Sequence, residues 1–313
     1  MSDPNSPLAR QEYARRFNRV LDHIDQHLAE PIDLAQLADV AHFSRFHFHR
    51  LFAAWMGETL GDYLRRRRLE RGTFLLSCQP ELNVLSVALA CGFGSGEAFA
   101  RAFKLHFGST PTAWRAAAAV RREAAKRNPD QAARNDDQAP QWPPAHHGCA
   151  DQHTAEPSDM QVQLSNLKPV RVAYQRHIGP YGPAITAFWQ QRVTPWLQSH
   201  GLERQTCYGI GHDAPDVTPA AKCRYDACVA LPDGVTPSGN ITTLPGGRYA
   251  VAEFAGPLSE IPAAWTWLLR DWLPGSGLQC DDRPCFEQFE PHAAFDAASG
   301  VFRCQLCIPV RPL

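Results

Sequence analysis

The sequence predicts two folded domains of different class, an all-α N-terminal domain and an α+β C-terminal domain. From Tyr13 to about Ala118, apolar residues recur at the spacing of amphipathic helices. From Gln161 onward, strand-like segments alternate with two amphipathic helices, a pattern typical of an α+β domain. The stretch between them is rich in Ala, Gln, Asp, Asn and Pro and cannot bury enough apolar surface to fold. We therefore expect a disordered lead at residues 1–11, domains at residues 12–118 and 159–313, and a flexible linker at residues 119–158, of which the part through Arg127 could continue the preceding helix.

The composition indicates a soluble globular protein of the cytoplasm. The chain has 313 residues, of which 44% are hydrophobic and 20% charged. No apolar run approaches the roughly 18 residues that a membrane span requires, and no secretion signal is visible. The charge is uneven: residues 12–127 carry 17 Lys+Arg against 12 Asp+Glu, whereas residues 159–313 carry 12 against 14. A basic excess at one end is expected if only that end meets phosphate.

The ten cysteines do not indicate disulfides or a metal centre, because the predicted compartment is reducing. Cys91, Cys228, Cys304 and Cys307 lie in apolar runs and are interpreted as small core residues. Residues 304 and 307 also point to opposite faces of a strand, which is wrong for shared zinc coordination. A group in the linker could bind a metal adventitiously: His146, His147, Cys149 and His153. We expect neither a specific metal site nor a cofactor.

The N-terminal half contains a repeat. Residues 37–43 match residues 87–93 at an offset of 50, and beyond the turn the offset becomes 51. The paired positions include Phe48 with Phe99, Arg50 with Arg101, Phe52 with Phe103, Gly57 with Gly108, and Tyr63 with Trp114. Each copy has a short helix (Leu34–Val40, Val84–Ala90), a tight turn, and a second helix that opens at Ser44 or Ser95, where serine is a good N-cap.

This pattern indicates a double helix-turn-helix. A single match could be a helical hairpin of an unrelated fold, but the duplication argues against that interpretation. A helical stretch of fifteen residues, Asp62–Leu76, separates the two copies. It is about 22 Å long at 1.5 Å per residue, so the second helices could enter successive major grooves of double-stranded DNA. The run Arg65–Arg68 has two interpretations, a solvated helix face and a set of phosphate contacts.

Residues 13–115 resemble the DNA-binding domain of the AraC/XylS family, most closely in GFGSGEAFARAFKLHFGSTPTAWR. In that family the second helix of each unit contacts bases. The resemblance therefore implies base-contacting roles for Phe46, His49 and Arg50 in the first unit and for Gly96, Glu97, Ala98, Ala100 and Arg101 in the second. Gly96, Ala98 and Ala100 offer no polar side chain, so we expect the first unit to supply most of the sequence reading, with Arg101 the main contributor from the second. The predicted DNA-contacting set is Ser44, Arg45, Phe46, His49, Arg50, Ser95, Gly96, Glu97 and Arg101.

The C-terminal half also repeats. The segment 170–180 resembles the segment 248–257 at an offset of 77, and each is followed by a Trp-bearing helix. This arrangement predicts two β-α-β-β halves related by a pseudo-twofold axis, with a groove between them. In the strand-like segment 284–290, Glu287 shares a face with Phe289 and would be a carboxylate among aromatic rings. Such a site attracts cationic aromatic molecules.

The predicted ligand-binding set has Glu287 at its centre and aromatic candidates for the walls: Tyr181, Trp189, Tyr225, Tyr249, Trp265 and Phe289. The alternative is an exposed strand glutamate beside ordinary core aromatics. Residues 160–313 resemble the GyrI-like effector-binding domain in RYDACVALP, GRYAVAEFAGP and PCFEQFEP. The resemblance places the family's acidic ligand-contacting residue on Glu287.

Together the two resemblances imply a transcription regulator, usually an activator, that responds to a small organic effector and is not an enzyme. Its expected partners are double-stranded DNA, the effector and, as a further candidate, RNA polymerase; no membrane is expected. Two alternatives stay open for the C-terminal domain. It could hydrolyse reactive toxins with Glu287 as general base, or it could bind another protein such as gyrase while tethered to DNA.

Overall fold

The computed structural model describes residues 7–127, 160–237 and 239–312. The chain divides into two compact units between Val120 and Arg121. Among the described helices, none has the length and apolar character needed to cross a membrane. The linker interpretation of residues 128–158 and the four linker metal candidates fall outside the described residues.

The described part of the N-terminal unit is helical throughout. Its first helix begins at Pro7, so the expectation of a disordered lead is wrong for residues 7–11. Proline suits the first helical position, and Leu8–Gln11 are good helix formers. The last helix continues to Arg127, into the segment first assigned to the linker. The helices are α1 (Pro7–Gln26), α2 (Leu34–Ala41), α3 (Arg45–Met56), α4 (Leu60–Cys78), α5 (Val84–Ala90), α6 (Gly96–Phe107) and α7 (Pro111–Arg127).

Each repeat builds its own core, and α4 contributes to both. Phe48 and Phe52 of α3 are fully buried in the first core, and Phe99 and Phe103 of α6 are fully buried in the second. Helix α4 places Tyr63 in the first core and Leu69, Leu75 and Leu76 in the second. The phenylalanines that pair in the repeat, Phe48 with Phe99 and Phe52 with Phe103, therefore occupy equivalent core positions.

The turns of the two helix-turn-helix units have different residues in the left-handed conformation. His42 ends α2 in the left-handed region with φ of 52°, the only described non-glycine residue with positive φ. Fifty residues later, Gly92 has φ of 77°. A side chain disfavours this conformation, so the first unit carries backbone strain that the second avoids.

The C-terminal unit is an α+β domain with one curled antiparallel sheet. Its strands are β1 (Val162–Leu167), β2 (Val170–Ile178), β3 (Cys207–Gly211), β4 (Arg224–Ala230), β5 (Asn240–Leu244), β6 (Gly247–Gly256), β7 (Leu278–Cys280), β8 (Phe286–Phe289), β9 (Phe295–Asp296) and β10 (Val301–Pro312). The main order is β1-β6-β10-β8-β3-β4-β2-β5. The order is symmetric: if β1, β2, β3 and β4 are exchanged with β5, β6, β8 and β10 respectively, the same order is obtained, read from the other end of the sheet. Each half also begins with a strand, β1 or β5, that the predicted β-α-β-β pattern lacks; the pseudo-twofold geometry itself stays a prediction.

Two interrupted helices belong to this unit. Each contains a π-helical turn, at Trp189–Val193 in the first and at Leu268–Trp272 in the second. Such turns are uncommon and occur frequently at functional sites. The α-helical segments are α8 (Pro183–Phe188), α9 (Thr194–Ser199), α10 (Ile261–Trp267) and α11 (Leu273–Gly275).

The sheet buries side chains on both faces. One face carries a cluster that includes Tyr174, Tyr208, Tyr249 and Phe286. The opposite face packs against the first interrupted helix through a cluster that includes Tyr225, with Trp189 and Phe289 partly buried beside it. We call these the tyrosine face and the helix face. Because Glu287 follows Phe286 in β8, its side chain points to the helix face.

Candidate functional site

Helix α3 presents a polar face on the side away from its buried phenylalanines. Ser44 precedes the helix as its N-cap, although its side chain makes no capping hydrogen bond. Arg45, His49 and Arg50 are all exposed, as the predicted DNA-contacting role requires. Phe46 lies on the same helix, but its side chain is outside the described residues.

Arg45 is engaged by a carboxylate of the preceding helix. Its Nη2 atom lies 2.6 Å from Oδ2 of Asp39 in α2, and its Nε donates to Oδ1 of the same residue. Both side chains are more than half exposed, and hydrogen bonding to Asp39 raises the pKa of Arg45. The pair links the two helices of the first unit, so Arg45 would have to exchange partners to reach a phosphate. Arg50 shows no such partner among the described residues.

Helix α6 begins with a more complete cap. Ser95 accepts a hydrogen bond from the backbone N–H of Ala98 at 3.1 Å. The Glu97 carboxylate accepts from its own backbone N–H and from the Ser95 hydroxyl, and these bonds lower its pKa. These two predicted DNA-contacting residues therefore stabilise the helix start. Gly96 packs beside Leu85 of α5, which leaves Arg101 as the exposed cation of the predicted set in this unit.

The arginine run in α4 is mainly structural. Arg66 has 5% of its side chain exposed and pairs with Glu58 at 2.7 Å and Glu70 at 2.9 Å. Arg67 bridges Asp25 and Glu70. Arg68 donates to two backbone carbonyls of the segment after α1. The solvated-face interpretation is therefore wrong for these three residues, because carboxylates or backbone carbonyls engage each of them and none is exposed. Arg65, at 65% exposure, is the one that fits it.

Glu287 is the centre of the second candidate site. Its Oε1 atom accepts a hydrogen bond of 3.0 Å from the indole N–H of Trp265 in α10. Burial raises the pKa of Glu287 to about 7, although the indole bond acts in the opposite direction. The residue is neither fully buried nor fully exposed. A carboxylate that titrates near neutrality and remains accessible can bind a cation or exchange a proton.

Tyr225 and Trp189 complete the polar part of this site. The indole N–H of Trp189 donates to the Tyr225 hydroxyl at 3.1 Å. Burial, and secondarily the Glu287 charge, raises the pKa of Tyr225 well above its usual value, so its hydroxyl stays protonated. Gly209 of β3 lies directly opposite Glu287 in the sheet. A methyl group there would collide with the Tyr225 hydroxyl and come within 2.7 Å of Glu287 Oε2.

Two further predicted residues lie on the same face. Phe289 packs edge-on against Trp189 with ring centroids 5.2 Å apart. Tyr181 lies edge-on to Tyr225 at 6.3 Å, and its hydroxyl donates to the Arg224 carbonyl at 2.7 Å. The structure therefore groups six of the seven predicted residues on the helix face, with the Tyr181 hydroxyl used in a structural bond.

Tyr249 is the exception. It is fully buried on the tyrosine face, 5.2 Å from the ring of Phe286, and its hydroxyl donates to the Pro245 carbonyl. The Arg283 guanidinium lies 4.7 Å above its ring. The prediction that Tyr249 lines the site with Glu287 is wrong, because the register of β6, β10 and β8 places the two side chains on opposite faces.

Sequence reasoning missed Gly209, the residue whose missing side chain makes room for the site. A usable signal was present, since glycine inside a strand often marks a close approach of other groups. Cys91, Cys228, Cys304 and Cys307 are buried, as predicted for small core residues. Within the described residues, no group of three or more His, Cys, Asp or Glu is arranged to hold a metal ion.

Comparison with known proteins assigns both units. Residues 37–117 match a family model described as a helix-turn-helix domain, and residues 160–311 match one described as a GyrI-like small molecule binding domain. A DNA gyrase inhibitor of Edwardsiella piscicida is 32% identical over 159 residues, 49% of this chain and 99% of that protein. The probable transcription factor PqrA of Proteus vulgaris is 37% identical over 86 residues, 28% of this chain and 70% of that protein.

The chain belongs to the AraC-type transcription regulators that carry a GyrI-like domain. The regulator thus joins a DNA-binding domain to a small-molecule binding domain. A solved DNA complex of the AdpA DNA-binding domain has 33% sequence identity, a TM-score of 0.33, and coverage of 34% of this chain and 96% of that one. Some matched regulators are much longer than the segment that they share with this chain. In one of them, that segment covers 35% of the protein's own length.

Proposed function

We propose that the regulator reads DNA mainly through Arg50 and His49 of α3, with Arg101 of α6 as the main contributor from the second unit. The exposed, unpaired state of Arg50 within the described residues supports this assignment. A free guanidinium can bond both acceptors of a guanine in the major groove. Two units on one chain would occupy two successive major grooves, and a change in their occupancy would alter recruitment of RNA polymerase.

The DNA assignment is tested by measuring binding to an operator and to all single-base variants of each half-site. Arg50→Ala should cost about 1–3 kcal/mol on the best site and relax the preference at one position. Arg65→Ala is the matched control, because it removes an exposed arginine of α4 from the same unit. An equal loss on every sequence would assign Arg50 to phosphate contact and refute the base-reading role.

For the C-terminal domain, we infer that the effector is an aromatic organic cation bound at Glu287. The observation that carries this inference is the Glu287 carboxylate, whose one recorded hydrogen bond in the described chain comes from Trp265. The indoles of Trp265 and Trp189 provide aromatic faces, and a cation compensates a partly buried carboxylate. Binding changes promoter activity to the extent that the cation binds two states of the regulator with different affinity.

The effector assignment is tested with a matched pair of probes, N-methylquinolinium and its uncharged isostere 1-methylnaphthalene. Calorimetry on the full chain should detect the cation and show a much weaker response to the neutral molecule. Glu287→Gln, which keeps the acceptor for Trp265, should remove this preference. Equal binding of both probes, or an unchanged preference in the variant, would contradict the proposal. Operator footprints with and without the cation then measure how much cation binding changes the affinity of the regulator for DNA.

Hydrolysis is the second candidate function. It is favoured by the pKa of about 7 at Glu287, since a general base works best near the operating pH. The neutral Tyr225 hydroxyl beside it could protonate a leaving oxygen. Turnover of reactive electrophilic toxins by the full chain, lost in Glu287→Gln, would support this activity.

Protein binding is the alternative suggested by the names of matched gyrase inhibitors. Capture of purified gyrase by the full chain, with no heat of binding for any organic cation, would favour it over the effector proposal.

A further inference from the structure

We infer that the effector of this site carries a protonated amine next to an oxygen acceptor, with the amine bound by Glu287 and the oxygen bound by the Tyr225 hydroxyl. This inference rests on the proposed function, because it specifies the cation expected at Glu287. It adds a second recognition element, a hydrogen-bond donor of the protein, that a simple quaternary cation cannot use.

The first element is the unused oxygen of Glu287. Trp265 donates to Oε1, and no described residue is recorded as donating to Oε2. An amine with N–H groups can bond that oxygen directly, whereas a quaternary ammonium offers only its charge. Charge-assisted hydrogen bonds are about twice as strong as neutral ones, so the site favours an amine that bears a proton.

The second element is the hydroxyl hydrogen of Tyr225. Its oxygen accepts from the Trp189 indole at 3.1 Å, and this bond orients the phenol. An indole N–H is a donor only, so it cannot receive the tyrosine's own proton. Within residues 160–237 and 239–312, no acceptor is recorded for that proton. The hydroxyl is therefore a donor without a partner in a largely buried place, and a ligand acceptor would satisfy it.

Gly209 brings the two elements together. The Tyr225 hydroxyl and Glu287 Oε2 both lie over its α-carbon, in the space that a Cβ atom would fill. No hydrogen bond is recorded between these two oxygens, so one group does not satisfy the other. A ligand that bridges them must present a donor and an acceptor on neighbouring atoms. An amine beside a hydroxyl or carbonyl has this arrangement, and an aromatic body attached to it can contact the two indoles.

The inference is tested by calorimetry on the full chain at pH 7.5 with two probes that differ in one oxygen. These are 2-amino-1-(naphthalen-2-yl)ethanol and 2-(naphthalen-2-yl)ethylamine, both protonated at this pH. One additional hydrogen bond corresponds to a preference for the hydroxylated amine of roughly fivefold. Tyr225→Phe should reduce the preference to less than about twofold, while the affinity for the simple amine changes little.

Tyr181→Phe is the matched control. It also deletes one phenol hydroxyl on the helix face, but that hydroxyl bonds the Arg224 carbonyl. The fivefold preference should persist in this variant, and thermal melts of all variants verify folding. Equal affinity of the wild type for both amines, or an unchanged preference in Tyr225→Phe, overturns the inference while leaving a cation site in place. Failure of both amines to bind refutes the proposed cation site as well.

Discussion

Replacing Glu287 by Gln is expected to stabilise the C-terminal unit at pH 8 and to leave its stability nearly unchanged at pH 4. Burial raises the pKa of Glu287 from its usual 4.5 to about 7, so the folded state holds its proton more tightly than the unfolded chain does. At a pH between these two values, the carboxyl of Glu287 is ionised in the unfolded chain but still protonated in the folded one. The neutral carboxyl therefore contributes stability that is fully present below pH 4.5 and is lost as the pH rises through 7.

The magnitude follows from the size of the shift. Each pKa unit corresponds to about 1.4 kcal/mol, so the ionised carboxylate costs at most about 3 kcal/mol above pH 8. Partial solvent exposure of the side chain reduces this figure through screening. Glutamine avoids the cost because it carries no charge and retains an oxygen acceptor for the Trp265 indole.

Hydrogen exchange monitored by mass spectrometry provides a local assay. Peptides covering β8 and β10 report the free energy of opening of the C-terminal unit from pH 4 to pH 9. The matched control is Glu290→Gln, which removes an exposed carboxylate three residues away that bonds Thr206. The reasoning is refuted if Glu287→Gln is no more stable than the wild type at pH 8, or if its advantage is the same at both ends of the pH range.

Three further predictions concern the site and the helix-turn-helix turns. The affinity for N-methylquinolinium should rise about tenfold from pH 6 to pH 8, because the ionised fraction of a carboxyl with a pKa of about 7 rises from roughly 0.1 to 0.9; calorimetry that shows no change would exclude Glu287 as the cation's partner. Gly209→Ala should abolish binding of the same probe, since its methyl group would occupy the space over which Tyr225 and Glu287 converge; retained binding would place the ligand elsewhere. His42→Gly should raise the free energy of unfolding by about 0.5–1 kcal/mol by removing the positive-φ strain, whereas Gly92→Ala should lower it by about 2 kcal/mol or more, because its Cβ would lie 2.8 Å from the Leu28 carbonyl oxygen; urea titration of both variants measures the contrast.

Much of the N-terminal architecture could be predicted because its signals are local. The periodicity that buries Phe48, Phe52, Phe99 and Phe103 acts within single helices, and the duplication supplied an independent check of each position. The start of the first helix was misplaced, since a few residues of good helix propensity can extend a helix without adding an apolar signal. The partners that Arg66–Arg68 have outside α4 could not be predicted, because they belong to other segments of the chain.

In the C-terminal domain, the sequence alone determined the presence of paired halves, the strand that carries Glu287, and the aromatic residues available around it. Alternation within one strand specifies which neighbours share a face, so Phe289 and Glu287 could be grouped correctly. It does not specify how two strands distant in sequence are aligned. Only the tertiary structure decided that Tyr249 lies on the opposite face, that Trp265 reaches Glu287, and that Gly209 opens the space between Glu287 and Tyr225. The physical reason is that strand register depends on the packing of the whole sheet, and a shift of one residue would exchange its two faces.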